Sequence, residues 1–274
     1  MIKLVCTDID GTLVPDGTDK LNPELFEVIQ KLKEKGIMFA AASGRQYGSM
    51  QALFAEVAND MIFIAEGGNL VMCRDEVMAI SQMDKDTVQQ LVEDIEKIEG
   101  CNALLCGPER GYARQNATEL IRLLTEGYHY NMQIVEEFES ILDHEIIKVS
   151  LFHSGGKADE LARDYLFPKW ESGRGIELVC AGTHWMDCIK LGSNKGTAIE
   201  QIQSIMNIEP AETMVFGDNI NDIHMLLRAD YSYAVGNARD EVKEVAKYVA
   251  DTNVNDGVLK ELKKLLIQLD RQEG

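Results

Sequence analysis

Two aspartates two residues apart, in the run Asp8-Ile9-Asp10-Gly11-Thr12, come directly after an apolar stretch. At that spacing both carboxylates point the same way if an extended strand continues. Carboxylates brought that close repel, and a divalent cation is the simplest remedy. A second acidic cluster, Gly217-Asp218-Asn219-Ile220-Asn221-Asp222, also follows an apolar stretch. Asp8, Asp10 and Asp218 make an all-oxygen donor set which, completed by water and phosphate oxygens, is what Mg²⁺ favours. A calcium loop also begins D-x-D, but it requires a Glu at its twelfth position, where this chain has Asp19. Ser43-Gly44 offers a hydroxyl and backbone N–H groups for a phosphate, although such a pair taken alone is more often a plain strand-to-helix turn. Lys195, in Ser193-Asn194-Lys195-Gly196, reads as a surface residue by itself. Set against two aspartates and a phosphate, its ammonium offsets the charge on both.

These groups must be held by regular elements, and the chain supplies them. Lys3 to Thr7 reads as a buried strand running into Asp8. Asn22-Pro23 opens a helix with Leu25, Val28, Ile29 and Leu32 on one face, and Gly36 stops it. Ile37 to Ala42 is a second strand ending at Ser43-Gly44-Arg45; a helix carrying Met50, Leu53, Phe54 and Val57 and a third strand, Met61 to Ala65, follow. Single alternation of strand and helix predicts right-handed crossovers and a parallel sheet buried on both faces, with Asp8, Asp10 and Ser43 at its ligand-binding end. The alternation breaks after about residue 80 and resumes near Lys190, with a helix after Asn194, strands Thr213 to Phe216 and Tyr231 to Val235, a helix Ile220 to Arg228, and a closing helix Val258 to Leu269. The expected organisation is a core of residues 1–82 and 188–274 with an inserted α+β domain at 83–187. The tail, Arg271 to Gly274, is expected to fray.

Composition narrows the classes. The 274 residues carry 27 Lys+Arg against 46 Asp+Glu, a formal charge of −19, which argues against nucleic acid and anionic membrane surfaces as partners. At 45% hydrophobic and 27% charged the chain is ordinary globular material. A chain of this size hides roughly 70–75% of its unfolded surface without disulfide staples. No stretch approaches a membrane span, and the start is too short in apolar residues for a signal peptide. The six cysteines form no CxxC pair. Cys6, Cys180 and Cys188 lie among apolar or β-prone neighbours and are expected to be buried thiols, which points to a reducing, cytoplasmic setting. The five histidines, 129, 144, 153, 184 and 224, have no metal-ligand spacing.

The four signals occur in the order Asp8-x-Asp10-Gly11-Thr12, Ser43, Lys195, Gly217-Asp218-x-x-Asn221-Asp222, each at the end of a strand. That order resembles the haloacid dehalogenase (HAD) phosphatase superfamily, and the insertion between Ser43 and Lys195 is similar to its Cof-type subgroup. The resemblance implies a Rossmann-like parallel-sheet core with an inserted cap domain that closes over the site and supplies selectivity. It implies a Mg²⁺-dependent phosphomonoesterase in which Asp8 attacks phosphorus to form an aspartyl-phosphate. Asp10 protonates the leaving alcohol and then deprotonates water. Mg²⁺ is held by Asp8, by Asp10 through its backbone carbonyl, and by Asp218, with Asp222 placing metal-bound water from behind. Ser43 and the amides of Ile9 and Gly44 hold phosphoryl oxygens. Lys195 pairs with Asp8 and the phosphate, Asn221 reaches the phosphate, and Thr12, in the same phosphate loop, orients Asp10. Cys106-Gly107 through Tyr112 to Asn116-Ala117, with Ala41 to Tyr47, is similar to bacterial sugar-phosphate phosphatases. The implied substrate is a small phosphorylated metabolite, a sugar phosphate first. A phosphorylated cofactor or precursor (pyridoxal phosphate, FMN, a thiamine-pathway phosphate) is the alternative. A receiver-like phospho-acceptor switch shares the Asp cluster, hydroxyl, Lys and Mg²⁺, but lacks the second acid and a long insertion. The state of assembly is left as monomer or homodimer. One departure stands out: Glu66-Gly67-Gly68-Asn69 occupies the place where the family commonly has Asn-Gly.

Four further residues have two readings each. Arg45 either reaches substrate or makes an ion pair at a helix start. Tyr112 and Arg114 either line the substrate pocket or sit on an exposed strand. Trp185 either stacks on a sugar or packs at the return into the core. Lys148, between apolar neighbours, is expected to place its amine at a rim, and the acidic run Glu136 to Glu139 is a solvated face.

Overall fold

A computed structural model describes residues 1–15, 18–127, 130–171, 173–180 and 182–273, so His129 and Gly274 lie outside the described residues. The chain divides into two units, Met1–Ala79 with Asn194–Gly274, and Ile80–Ser193. In chain order the strands are β1 (Leu4–Asp8), β2 (Met38–Ala42), β3 (Met61–Ala65), β4 (Leu70–Cys73), β5 (Glu76–Ile80), β6 (Cys101–Cys106), β7 (Gly111–Arg114), β8 (Met132–Val135), β9 (Lys148–His153), β10 (Ile176–Cys180), β11 (Trp185–Lys190), β12 (Thr213–Gly217), β13 (Tyr231–Ala234) and β14 (Tyr248–Val249).

The first unit holds one sheet in the order β14-β13-β12-β1-β2-β3-β4-β5. Every residue of β1, β3 and β12 is buried, as expected for strands covered on both faces. β1 pairs in parallel with β2 (Asp8 opposite Ala42) and with β12 (Thr7 opposite Phe216). The chain runs outward from β1 in one direction through β2 and β3, then returns to its other side with β12. The strand order therefore reverses beside β1, the position where open α/β sheets bind ligands. Helix Glu24–Glu34 buries Leu25, Val28, Ile29 and Leu32 and packs against Gly257–Glu273, while Lys195–Met206 packs against Ile223–Leu226. The closing helix extends through Arg271 to Glu273, so the expected fraying does not begin at Arg271.

The sheet is not wholly parallel: β4 runs antiparallel to β3. The β4–β5 turn consists of Arg74 and Asp75, with φ of 53° and 63°, the double left-handed conformation of a two-residue hairpin turn that Asn-Gly would signal. A turn of this kind without its usual residues left the hairpin unread in the sequence.

The second unit has a sheet in the order β10-β11-β9-β6-β7-β8. All its pairings are antiparallel except β7 with β8. One sheet face, carrying Ala103, Leu105, Val149, Leu151, Met186 and Cys188, packs with Val88, Leu91, Val92 and Ile95 of helix Lys85–Glu96 and with Trp170. Asp84 caps that helix by accepting the Thr87 N–H at 3.0 Å. The unit ends later than residue 187 because β11 runs on to Lys190 while bonded to β9 and β10. It starts with Ile80, the last residue of β5. Cys6 and Cys188 are buried, but Cys180 is exposed, since it ends the edge strand β10. No helix among the described residues is long and apolar enough to cross a membrane.

Candidate active site

The chain turns sharply after β1. The Ile9 carbonyl accepts the N–H groups of Thr12, Leu13 and Val14, and Gly11 donates to the Val14 carbonyl. Gly11 has φ +87°, and a side chain there would collide with the Asp218 carboxylate, so only glycine lets this turn approach the acidic cluster. Asn237, in the Gly236-Asn237 pair after β13, holds the turn by donating to the Gly11 carbonyl at 2.8 Å. The sequence reading missed this residue, although Gly-Asn just beyond a strand is a loop signal.

Asp8 is 4% exposed and its Oδ1 accepts from Lys195 Nζ. Lys195 also donates to Asp222 Oδ1 at 2.7 Å. Lys195 is the first residue of its helix because Asn194 caps it: the Asn194 side chain accepts from Gly196 and Thr197 N–H, and Thr197 Oγ1 accepts from the Asn194 N–H. The Lys195 and Asn194 backbone in turn lies against Gly68, where a side chain would overlap the Asn194 carbonyl. Asp222 is wholly buried, and its Oδ2 accepts the N–H groups of Asp218 (3.0 Å) and Asn219 (3.1 Å). That cap explains why the expected single helix from Ile220 begins as a short 3₁₀ turn, Ile220–Asp222, before Ile223–Leu226.

Carboxylate oxygens of Asp8, Asp218 and Asp222 lie within 4.8 Å of one another. Lys195 pairs with two of these three, Asp8 and Asp222. Burial, with Asp222 beside it, pushes the Asp8 carboxyl well above the ordinary aspartate value of 3.8, against the pull of Lys195. Burial works against the Lys195 ammonium, yet Asp222 and Asp8 raise its pKa above the usual lysine range. Both Asp222 oxygens are occupied by protein donors, so the oxygens best placed for a cation belong to Asp8 and Asp218. An all-oxygen, negatively charged set fits a hard cation such as Mg²⁺.

Other expected contacts are placed differently. Thr12, 1% exposed, donates to Asp218 Oδ1 at 2.6 Å; the expected partner Asp10 is instead held by Arg45 and Ser43. Arg45 Nε donates to Asp10 Oδ2 (3.0 Å), Arg45 Nη2 to Asp10 Oδ1 (2.6 Å), and Ser43 Oγ to Asp10 Oδ2 (3.2 Å). Ile9 is buried, Gly44 and Asn221 are exposed. Glu66 and Asn69 are buried, and Glu66 has φ 50°, a left-handed conformation that asparagine adopts more readily than glutamate. Its N–H donates to the Arg45 carbonyl, and Gly67 N–H to that of Ser43, which ties this loop to the Ser43 turn.

In the second unit, Tyr112 is buried with its OH 3.0 Å from His144 Nδ1, on the face packed into the core rather than on an exposed face. Arg114 pairs with Glu96 (3.2 Å) and Glu137 and lies over the Phe138 ring. Trp185 is half-buried against Phe152, ring centroids 4.7 Å apart. Lys148 is buried, 3.3 Å from Asp187, rather than at a rim.

The profile of haloacid dehalogenase-like hydrolases matches residues 5–262. The Escherichia coli 5-amino-6-(5-phospho-D-ribitylamino)uracil phosphatase YbjI is 30% identical over 268 residues, 97% of this chain and 96% of that protein. A crystal structure from Eubacterium rectale superposes with a TM-score of 0.88 at 36% identity, covering 96% of this chain and 99% of that one. The HAD subclass IIB sugar phosphatase BT4131 superposes with a TM-score of 0.75 at 25% identity, covering 96% and 98%.

Proposed function

This chain belongs to the haloacid dehalogenase-like hydrolases and is a phosphatase of small phosphorylated substrates, and from that premise we propose a Mg²⁺-dependent phosphomonoesterase that works through an aspartyl-phosphate on Asp8 and takes sugar phosphates. The observation that carries the reading is the cluster of carboxylates at the end of β1: oxygens of Asp8, Asp218 and Asp222 lie within 4.8 Å of one another, and Lys195 pairs with Asp8 and Asp222. A cation held by Asp8 and Asp218 would neutralise charge developing on the phosphoryl group and keep Asp8 ionised.

The residues then divide the work. Asp8 forms the new bond to phosphorus as the bond to the ester oxygen breaks, splitting one displacement into two. Asp10 gives its proton to the departing alcohol and later takes one from the attacking water. Lys195, fixed by Asp222 and by the Asn194 cap, offsets charge on Asp8 and on the phosphoryl oxygens. Ser43 and the amides of Ile9 and Gly44 hold those oxygens.

A second reading, a phosphorylated cofactor precursor, is favoured by the name of the Escherichia coli relative, whose substrate carries its phosphate on a ribityl chain. Both readings share a phosphate on a polyhydroxylated carbon chain. Phosphate release from a panel of hexose, pentose, ribityl and cofactor phosphates, with Mg²⁺ and with EDTA, tests them. The sugar reading expects cation-dependent turnover concentrated on hexose or pentose phosphates. Preference for the ribitylaminouracil phosphate would replace it with the second, and an Asp8→Asn variant that still turns over would remove Asp8 as nucleophile.

A further inference from the structure

Arg45 entered with two readings, and the structure gives it a definite partner. Its guanidinium grips Asp10 edge-on, Nε to Oδ2 at 3.0 Å and Nη2 to Oδ1 at 2.6 Å, the paired fork that fixes the plane of a carboxylate as well as its place. The fork is itself anchored. Arg45 N–H donates to Ser43 Oγ at 3.1 Å, Nη1 pairs with Asp19 at 2.5 Å, and Nη2 also reaches the Thr18 carbonyl at 3.2 Å. The Arg45 side chain is only 19% exposed.

The two oxygens of Asp10 are not held equally. Oδ2 accepts from both Arg45 Nε and Ser43 Oγ. Oδ1 accepts from Nη2 alone among the described contacts, and that donor has the Thr18 carbonyl as a second acceptor. Removing Oδ1 as an acceptor therefore orphans no donor, whereas removing Oδ2 would leave two donors unpaired in a partly buried place.

We propose that Arg45 is the positioning residue for Asp10: its fork fixes the plane of the carboxyl through both oxygens, and Oδ1, whose donor has a second acceptor in the Thr18 carbonyl, is the oxygen that exchanges a proton with the substrate. This rests on the reading of Asp10 as the acid. With an alkyl phosphate, the electron pair of the breaking phosphorus–oxygen bond stays on the alkoxide oxygen, which takes the proton from Oδ1 while Asp8 bonds to phosphorus. With nitrophenyl phosphate, the same pair leaves on a stable phenolate that needs no proton. A clamp that aims the proton therefore matters for the first ester and hardly at all for the second. A lysine at the same position keeps the charge but cannot hold the carboxyl plane.

The test is kcat/KM, which reports events up to formation of the aspartyl-phosphate, measured on an alkyl phosphate and on nitrophenyl phosphate for Asp10→Asn, Arg45→Ala and Arg45→Lys. Asp10→Asn is expected to lose about 10²-fold or more on the alkyl ester, in the range of general acid catalysis, and far less on the aryl ester. Arg45→Ala is expected to show the same split at roughly tenfold or more on the alkyl ester, with Arg45→Lys between it and the parent. A melting transition like the parent's, together with nitrophenolate released as the aspartyl-phosphate forms, shows that the variants are folded. A split in Asp10→Asn that is absent from Arg45→Ala overturns the clamp and leaves Asp10 as the acid. No split in Asp10→Asn overturns the acid assignment and the clamp with it.

Discussion

Two buried lysines of this molecule face carboxylates in different ways. Lys148, the first residue of β9, sits 3.3 Å from Asp187, whose other oxygen accepts from Ser150 at 2.6 Å. The carboxylate stands inside a sheet, with the Ser150 hydroxyl as a second donor. Lys195 meets Asp8 and Asp222 together, with Asp218 alongside. An ion pair within a sheet serves packing, and its removal as a pair costs little. A cluster of three carboxylates at the strand ends has the donor set for a cation under the proposed function. What separates the two is place: one lies among paired strands, the other where strands end beside clustered acids.

The sharpest break of this contrast is to truncate each lysine. Lys195→Ala is expected to lower kcat by roughly 10²–10³-fold, the range for losing one preorganised stabiliser of developing charge. Lys148→Ala is expected to destabilise the protein by about 3 kcal/mol in chemical denaturation, the cost of stranding Asp187, and the paired change Lys148→Met with Asp187→Leu to restore most of it. Equal kinetic losses from the two truncations would erase the distinction.

A smaller effect follows from pH. The folded Asp8 carboxyl titrates above its unfolded value of 3.8, so the folded state holds that proton more tightly than the unfolded chain. Its contribution is then fully present below 3.8 and is lost as pH rises through the raised value. In EDTA, the Tm of Asp8→Asn is expected to gain on the parent as pH rises above 4, and saturating Mg²⁺ to shrink the gain by supplying the positive charge. A constant Tm difference across pH, with or without Mg²⁺, would contradict this.

The smallest change is Thr12→Val, which takes from Asp218 its 2.6 Å donor. Outer partners of metal ligands typically matter by one to two orders of magnitude, so Mg²⁺ affinity is expected to fall about tenfold, read by titrating activity with the cation. An unchanged affinity would place Thr12 in the turn alone.

How much of this could be read from the sequence depended on distance along the chain. Asp8, Ser43, Lys195 and Asp218 are each announced by a strand or helix boundary next to them, so their arrival at one end of the sheet was legible, as was the α/β class. Contacts made across loops were not. That Arg45 would grip Asp10, 35 residues away, and that Thr12 would turn to Asp218 rather than to Asp10, depends on rotamers at the end of the sheet. The Arg74-Asp75 hairpin hid because its left-handed residues are neither Gly nor Asn. Cys180 was misjudged, and the exposed-strand reading of Tyr112 fails, because a strand's two faces look alike in sequence, and one residue of register decides which is buried. Nor could apolar neighbours reveal that β10 lies at an edge.

The place of β1 between β2 and β12 also sets a timetable. In a chain made from its N-terminus, β2 is complete by Ala42, but β12 does not exist until Thr213 to Gly217 have been added. At ordinary rates of synthesis that interval lasts on the order of ten to thirty seconds, during which one edge of a strand destined for complete burial has no partner and is open to wrong pairing. The inserted sheet, whose strands pair only with one another, is finished at Lys190, before that edge is closed. The ladder that seals the nascent sheet is therefore also the one that first carries Asp218 and Asp222 to Asp8.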